Sequence, residues 1–276
     1  MDKLVSIILP TYNGSKRIEM AIQSVLAQKY TNWELLVLDD GSSDNTALIV
    51  DNFVKQDSRI IYIKNEINLG IQKTLNKGLR EAKGEYIARI DDDDVWVDQN
   101  KLTEQALFLE KNKEYVLVGT GVIIVDEHNK ELFRYLLPEK DIQIRKTILG
   151  KNCFIHSSVL FIKDVVLKIG GYDESINTRH VEDYDLWLRL GLCGKFANLS
   201  SYSVRFKLHD ASISAQNKIE QYKKIFKVIK IFKGKYPNYF ISYFRALARI
   251  IVYGFFVKLP IRISFNKMFK LYQKYW

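Results

Sequence analysis

The sequence predicts an α/β fold in which a mostly parallel sheet is covered by helices on both faces. Three observations point there. Short β-branched runs alternate with segments whose apolar residues recur every three or four positions. The runs end in polar turns at Thr11 to Asn13, Asp39 to Ser43 and Asp91 to Asp94. Finally, 47% of the 276 residues are apolar and only four are proline, enough for a core and unlike a collagen-like or disordered chain.

The elements follow in order. Residues 4–9 (LVSIIL) read as a strand and Pro10 to Gly14 as its turn. Ile18, Ile22, Val25 and Leu26 share one face of a helix over about 15–28. Leu35 to Leu38 form a second strand, stopped by Asp39-Asp40-Gly41-Ser42 before another helical pattern. Strand 60–63, helix 70–82, strand 86–90 and helix 101–111 continue the alternation. Beyond Val116 the pattern loosens into strands 116–125 and 158–162, a helix 141–149 and a helix 181–192. The chain from about Ile219 is helical by pattern and broken near Pro237 and Pro260.

Several chemistries lack their motifs. Cys153 and Cys193 make neither a disulfide framework nor a zinc ribbon. There is no phosphate-binding G-x-x-x-x-G-K-[ST] loop, no complete dinucleotide fingerprint and no G-x-S-x-G elbow. Neither a signal peptide nor an uncharged apolar run of membrane-spanning length is visible, so a reducing cytoplasmic location is expected.

The strongest chemical feature is Asp91-Asp92-Asp93-Asp94, directly after an apolar strand. Four adjacent carboxylates repel one another unless a cation compensates. Hard ions such as Mg²⁺ or Mn²⁺ take carboxylate oxygens together with substrate phosphates. A solvated turn or a helix cap would use the same residues. Asp39-Asp40 ends another strand, where an Asx-turn is the plainer reading. Glu182-Asp183 opens an amphipathic helix, where acids also satisfy free N–H groups.

The ordered set VSIILPTYNG (5–14), SVLAQKYTNWELLVLDDGSSDNT (24–46), NLG (68–70), KGEYIARIDDDD (83–94), GGYDE (170–174) and EDYDLWLRL (182–190) resembles the family 2 glycosyltransferases with the GT-A fold. The likeness runs over about residues 4–215 and is of the bacterial surface-polysaccharide and O-antigen type. It implies an inverting, metal-dependent hexosyl- or N-acetylhexosaminyltransferase that uses a UDP-sugar. By that resemblance Pro10, Thr11, Tyr12 and Asp40 belong to the nucleotide pocket, with Tyr12 stacked on the base. Asp91 and Asp93 take the DxD positions, with Asp92 reaching the ribose and Asp93 as the direct ligand of Mn²⁺ or Mg²⁺. His209 matches a position near the metal. Asp183 matches the general base, with Glu182 as its competitor. Asp173 and Trp96 fall on the acceptor side, where Asp173 would hold a sugar hydroxyl or cap its own turn and Trp96 would stack on a sugar. One departure is visible: the family's arginine after the NxG segment is Leu75 here, so a cation such as Lys73 must supply that contact or it is missing.

The charge is uneven, and the chain divides into residues 1–215, the catalytic part, and 216–276, a basic aromatic helical extension. The extension holds fourteen Lys or Arg against one acid, Glu220, and sixteen of the thirty-five aromatics, whereas the rest carries a small net negative charge. Basic amphipathic helices suit an anionic membrane surface, although the same apolar faces could pack on the body or serve a homodimer. The expected setting is peripheral attachment to the inner face of the plasma membrane, with a lipid-linked oligosaccharide as acceptor and no nucleic acid as partner. A chain ended near Gln216 should then stay soluble and keep its donor site. Two other readings remain open: a sugar-nucleotide pyrophosphorylase, for which the glycine-rich N-terminal loop is missing, and a non-catalytic sugar- or nucleotide-binding module.

Overall fold

The computed structural model describes residues 3–126, 128–207 and 218–256, with side chains to residue 254. Its elements are β1 (Val5–Thr11), α1 (Ile18–Leu26), β2 (Trp33–Asp39), α2 (Thr46–Gln56), β3 (Ile60–Lys64), α3 (Ile71–Glu81), β4 (Tyr86–Arg89), β5 (Val95–Trp96) and α4 (Lys101–Lys111). Then come β6 (Tyr115–Val125), β7 (Glu131–Tyr135), α5 (Asp141–Ile148), a 3₁₀ turn (His156–Ser158), β8 (Leu160–Ile162), α6 (Lys163–Lys168), α7 (Glu182–Leu190), β9 (Lys195–Lys207), α8 (Lys218–Ile231) and α9 (Tyr239–Phe256).

The strands form one sheet in the order β3-β2-β1-β4-β8-β6-β9-β5, with β7 paired to β6. The first four are parallel. Beyond them β8 runs antiparallel to both β4 and β6, so the sheet is the mixed one that the GT-A likeness implies, where the alternation alone suggested a mostly parallel one. The order reverses direction at β1, and the carboxyl ends of β1, β2 and β4 open onto one crevice, the place where such sheets take ligands.

Alternation along β1 divides the core. Ile7 and Leu9 face α1 and α4, while Ile8 faces α3 and the helices that follow. Both faces are covered, so nearly every residue of β1 and β2 is buried. α8, α9 and the turn between them share one of these cores: Val228, Ile229, Phe232, Tyr236 and Ala246 pack in the same cluster as Trp187 and Phe196. Polar bonds reinforce the contact, since Tyr236 donates to Leu188 O at 2.8 Å and Asn238 Nδ2 to Lys146 O at 3.0 Å.

Candidate active site

Three loops meet at the crevice, and the first is built to approach the third closely. Thr11 Oγ1 donates to Asp92 Oδ2 at 2.7 Å, and the Arg17 guanidinium donates to both Asp92 oxygens. A Cβ on Gly14 would lie 2.1 Å from Thr11 Oγ1 and 2.4 Å from Asp92 Oδ2, so only glycine fits there. Pro10 is buried, whereas Tyr12 stands 50% exposed.

The second loop turns on Asp40, buried at the end of β2. Its Oδ1 accepts from Asn65 Nδ2 (2.9 Å), Leu69 N (2.8 Å) and Thr74 Oγ1 (2.8 Å). Oδ2 takes only the Gly70 N–H, at 2.9 Å, and keeps acceptor capacity. Gly41 follows with φ +80, and a Cβ there would meet the backbone of Ile67 at 2.8 Å. Leu75 is fully buried in the core, and Lys73 is exposed. The cation beside the Asp40 network is instead Lys77, whose Nζ donates to Asn65 Oδ1 at 2.9 Å.

The third loop is the aspartate run. Arg89, only 2% exposed, sits under it and donates from Nη2 to Asp91 Oδ1 at 2.6 Å. Burial pushes the Asp91 carboxyl upward, but Arg89 and the Ser157 hydroxyl outweigh it and hold the group below the usual carboxylate range. Asp94 is buried against Ser157; burial first, then Asp91 and Asp93, raise it well above that range. Burial likewise raises Asp92, against the pull of Arg17 and Thr11. Asp93 is half-buried at the crevice.

The start of α7 brings a second pair of acids, Glu182 and Asp183, near these carboxylates. Asp183 Oδ2 accepts from Asn152 Nδ2 at 2.8 Å. Burial raises its pKa, and the charge of Asp91 adds to the rise, so Asp183 and the aspartate run feel one another. Glu182, next to it at the start of α7, is pushed up to about 7 by burial and by Asp183, and its Oε2 is buried without a partner. Tyr172, from the GGYDE turn, bonds His156 Nε2 through its hydroxyl at 2.8 Å. Burial holds His156 neutral, with its pKa lowered to about 3.

Other expected residues fall differently. The Asp173 carboxylate caps its own turn, accepting from Ser175 N (2.9 Å) and Ser175 Oγ (2.8 Å). Trp96 is a core residue, 3% exposed, with its indole N–H given to Ser157 O at 2.8 Å and Lys101 over its ring. It does not present a face to a sugar, because β5 turns it inward against β9 and α4. His209 lies outside the described residues.

A divalent ion suits these donors. Asp91 and Asp93 offer hard oxygens, Asp91 stays ionised, and two carboxylates leave most of the shell to phosphate and water, as Mg²⁺ and Mn²⁺ prefer. Among the described residues no three His, Cys, Asp or Glu side chains gather to hold a metal by themselves. Arg89, Asn152, His156 and Ser157 had no role in the sequence reading. Of these only Arg89 carried a signal, a lone charge in the otherwise apolar run Tyr86–Ile90.

The family model described as Glycosyl transferase family 2 matches residues 6–170. The chain belongs to that family. UDP-Glc:alpha-D-GlcNAc-diphosphoundecaprenol beta-1,3-glucosyltransferase WfgD of Escherichia coli is 37% identical over 233 residues, covering 83% of this chain and 86% of its own. O-antigen biosynthesis glycosyltransferase WbnJ, also of Escherichia coli, is 32% identical over 213 residues, covering 76% and 81%. The fold matches S. aureus TarS 1-349 in complex with UDP-GlcNAc with a TM-score of 0.71 at 19% identity, over 93% of this chain and 76% of that one. It matches the mannosyltransferase PcManGT of Pyrobaculum calidifontis, in complex with GDP-Man and Mn²⁺, at 0.68 and 17%, over 91% and 70%. The family 2 glycosyltransferase expected from the motifs is therefore the family found, and the fold is GT-A.

Proposed function

We propose that this family 2 glycosyltransferase moves a hexosyl or N-acetylhexosaminyl group from a UDP-sugar to a hydroxyl of a lipid-linked oligosaccharide, inverting the anomeric centre. The observation that supports the reading is that Asp91, just beyond β4, and Asp183, at the start of α7, lie close enough for the charge of Asp91 to help raise the Asp183 pKa. WfgD, the relative with the highest identity quoted above, supports UDP and a diphosphoundecaprenol acceptor by its name, and its β-1,3 product is what a single displacement on an α-linked donor gives. GDP-Man comes only from a structure at 17% identity.

In this reading Tyr12 stacks on the base, Asp40 Oδ2 takes its ring N–H, and Pro10 and Thr11 wall the pocket. Asp92 shapes the ribose side through its bonds to Thr11 and Arg17. Asp93 and Asp91, with His209 as a further candidate, would hold Mn²⁺ or Mg²⁺, which supplies positive charge to the departing diphosphate. Asp183 takes the proton from the acceptor hydroxyl as that oxygen attacks the anomeric carbon. Asn152 fixes the Asp183 carboxylate so that one oxygen stays aimed at the acceptor. Glu182, with a pKa near neutrality, is the alternative base; Asp173 contributes by holding the turn that carries Tyr172.

Residues 1–215 form the catalytic part, and 216–276 attach it from the cytoplasm to the inner face of the plasma membrane. Calorimetric titration of UDP, GDP and dTDP, with and without Mn²⁺, tests the donor half on wild type and Asp93→Asn. Mn²⁺-dependent UDP binding that Asp93→Asn abolishes is expected. Binding of no nucleotide in either condition would move the non-catalytic module ahead.

A further inference from the structure

The α8–α9 hairpin has an inner and an outer face of different character. The inner face, besides its apolar packing, props two acceptor-side loops. Arg249 Nη1 donates to Gly150 O at 2.9 Å, and Lys224 Nζ donates to Arg179 O at 2.9 Å. Gly150 lies just before Asn152, the residue that holds Asp183, and Arg179 lies just before Glu182.

The outer face is apolar and uncovered in the chain as described. Phe240, Phe244 and Ile251 are 67%, 62% and 63% exposed, and their spacings of four and seven put them on one stripe of α9. Ile241 and Val252 flank the stripe and are also exposed. Scattered single apolar residues need no explanation, but a continuous stripe marks a contact surface. On α8, Lys223, Lys227 and Lys230 recur at spacings of four and three, all exposed, and Lys233, Lys235 and Arg245 are exposed nearby. Lys227 donates to Asn177 Oδ1 at 3.3 Å and Lys230 lies over the Phe226 ring at 5.8 Å, yet the whole row stays exposed. One acid, Glu220, stands against all of them. Apolar residues beside a nearly pure positive field match a surface of phosphates over hydrocarbon better than a protein surface of mixed charge. No described helix is long and apolar enough to cross a bilayer, so contact would be in the plane of the interface.

We propose that the outer face of the α8–α9 hairpin is a docking surface for an anionic lipid bilayer. Phe240, Phe244 and Ile251 enter the headgroup layer, and Lys223 and Lys230 meet lipid phosphates. The proposal rests on the membrane-linked acceptor read above and deepens it: the element that meets the bilayer is the one that braces the loops of Asn152 and Glu182.

Flotation of the full chain with vesicles tests it, using phosphatidylcholine alone and phosphatidylcholine with about one third phosphatidylglycerol. The wild type should float with the anionic vesicles only. Phe240→Ser/Phe244→Ser and Lys223→Gln/Lys230→Gln should each weaken binding by about tenfold or more, since each surface-bound lysine contributes about 1 kcal/mol. Both pairs are solvent-exposed, and unchanged thermal melts would confirm that the variants fold. The proposal is overturned if the wild type stays at the bottom with both vesicles or if the variants float like wild type. It is equally overturned if light scattering shows a dimer that Phe244→Ser splits, because a second copy then covers the stripe. UDP calorimetry on the same samples separates the two ideas: loss of flotation with intact UDP binding removes only the docking surface, and the reverse removes only the donor reading.

Discussion

Arg89 and Asp91 form an ion pair at 2.6 Å in which the cation is 2% exposed and the carboxylate faces the crevice at 37%. A buried guanidinium under a run of four aspartates offsets part of their mutual repulsion. It also keeps Asp91 ionised against the pull of burial. Arg89→Met should therefore cost about 3 kcal/mol of stability, the low end for breaking a buried pair because water reaches Asp91. Arg89→Lys should recover part of it. Chemical denaturation in metal-free buffer measures both, and a neutral Arg89→Met would mean that water already screens the cluster.

Asn152 donates its amide to Asp183 at 2.8 Å and anchors the next turn through Phe154 N–H at 3.1 Å. If Asp183 is the base, Asn152→Ala leaves its carboxylate free to rotate. The expected result is a fall in kcat of about tenfold to a hundredfold with little change in UDP affinity. Steady-state kinetics beside UDP calorimetry separate the two. A loss of UDP binding instead would assign Asn152 to the donor side.

Much of this was legible in the sequence, for identifiable reasons. The helix over 101–111 and the strand over 116–125 repeat their apolar residues with a clean period, and the structure returns them almost unchanged. Asp40 and the aspartate run stand at strand ends because the chain is locally polar where the sheet stops. β9 escaped notice because its thirteen residues contain Asn198, Ser200, Ser201 and Ser203, which hide the period-two pattern. Trp96 was misplaced because a tryptophan beside an acidic loop looks available until the sheet turns it inward. His156, Ser157 and Asn152 were invisible because they come from a loop without a motif, and only tertiary packing brings them to Asp91 and Asp183.

Glu182 predicts a pH dependence of stability. Its pKa in the folded protein, about 7, lies above the value of about 4.5 for a free glutamate. An acid raised by folding destabilises the native state as pH climbs: nothing is lost below the unfolded value, and the full cost is reached above the folded one. Glu182→Gln should raise stability at pH 8 by at most about 3 kcal/mol and leave it unchanged at pH 4. Melting curves across that window show the effect. A gain that persists at pH 4 would trace to packing rather than charge.

His156 makes the opposite contribution on the acid side. Burial lowers its pKa to about 3, whereas the unfolded chain binds the proton near 6.5. Stability conferred by the neutral ring is complete above the unfolded value and is lost as pH falls towards 3. His156→Gln, which keeps a polar contact to the Tyr172 hydroxyl, should flatten the decline between pH 6.5 and pH 4. Equal slopes in the two proteins would show that the carboxylates alone drive acid unfolding.

The last prediction reverses an expectation drawn from the basic aromatic tail together with the family resemblance. A chain ended near Gln216 was expected to stay soluble with its donor site intact. Yet α8 and the turn that follows it contribute Val228, Ile229, Phe232 and Tyr236 to the core that holds Trp187, Leu188 and Leu190 of α7. Each large apolar side chain removed from that core forfeits about 1.5 to 3 kcal/mol of burial, and four of them rival the whole stability of a domain. Removal also takes the bond from Arg249 to Gly150 and that from Tyr236 to Leu188. The shortened chain should therefore aggregate or melt far below the full one, with α7 and Asp183 the first to lose their places. Full-chain Phe232→Ala gives a milder test: a loss of about 3 kcal/mol is expected. If both proteins melt like wild type, the basic helices contribute nothing to the core.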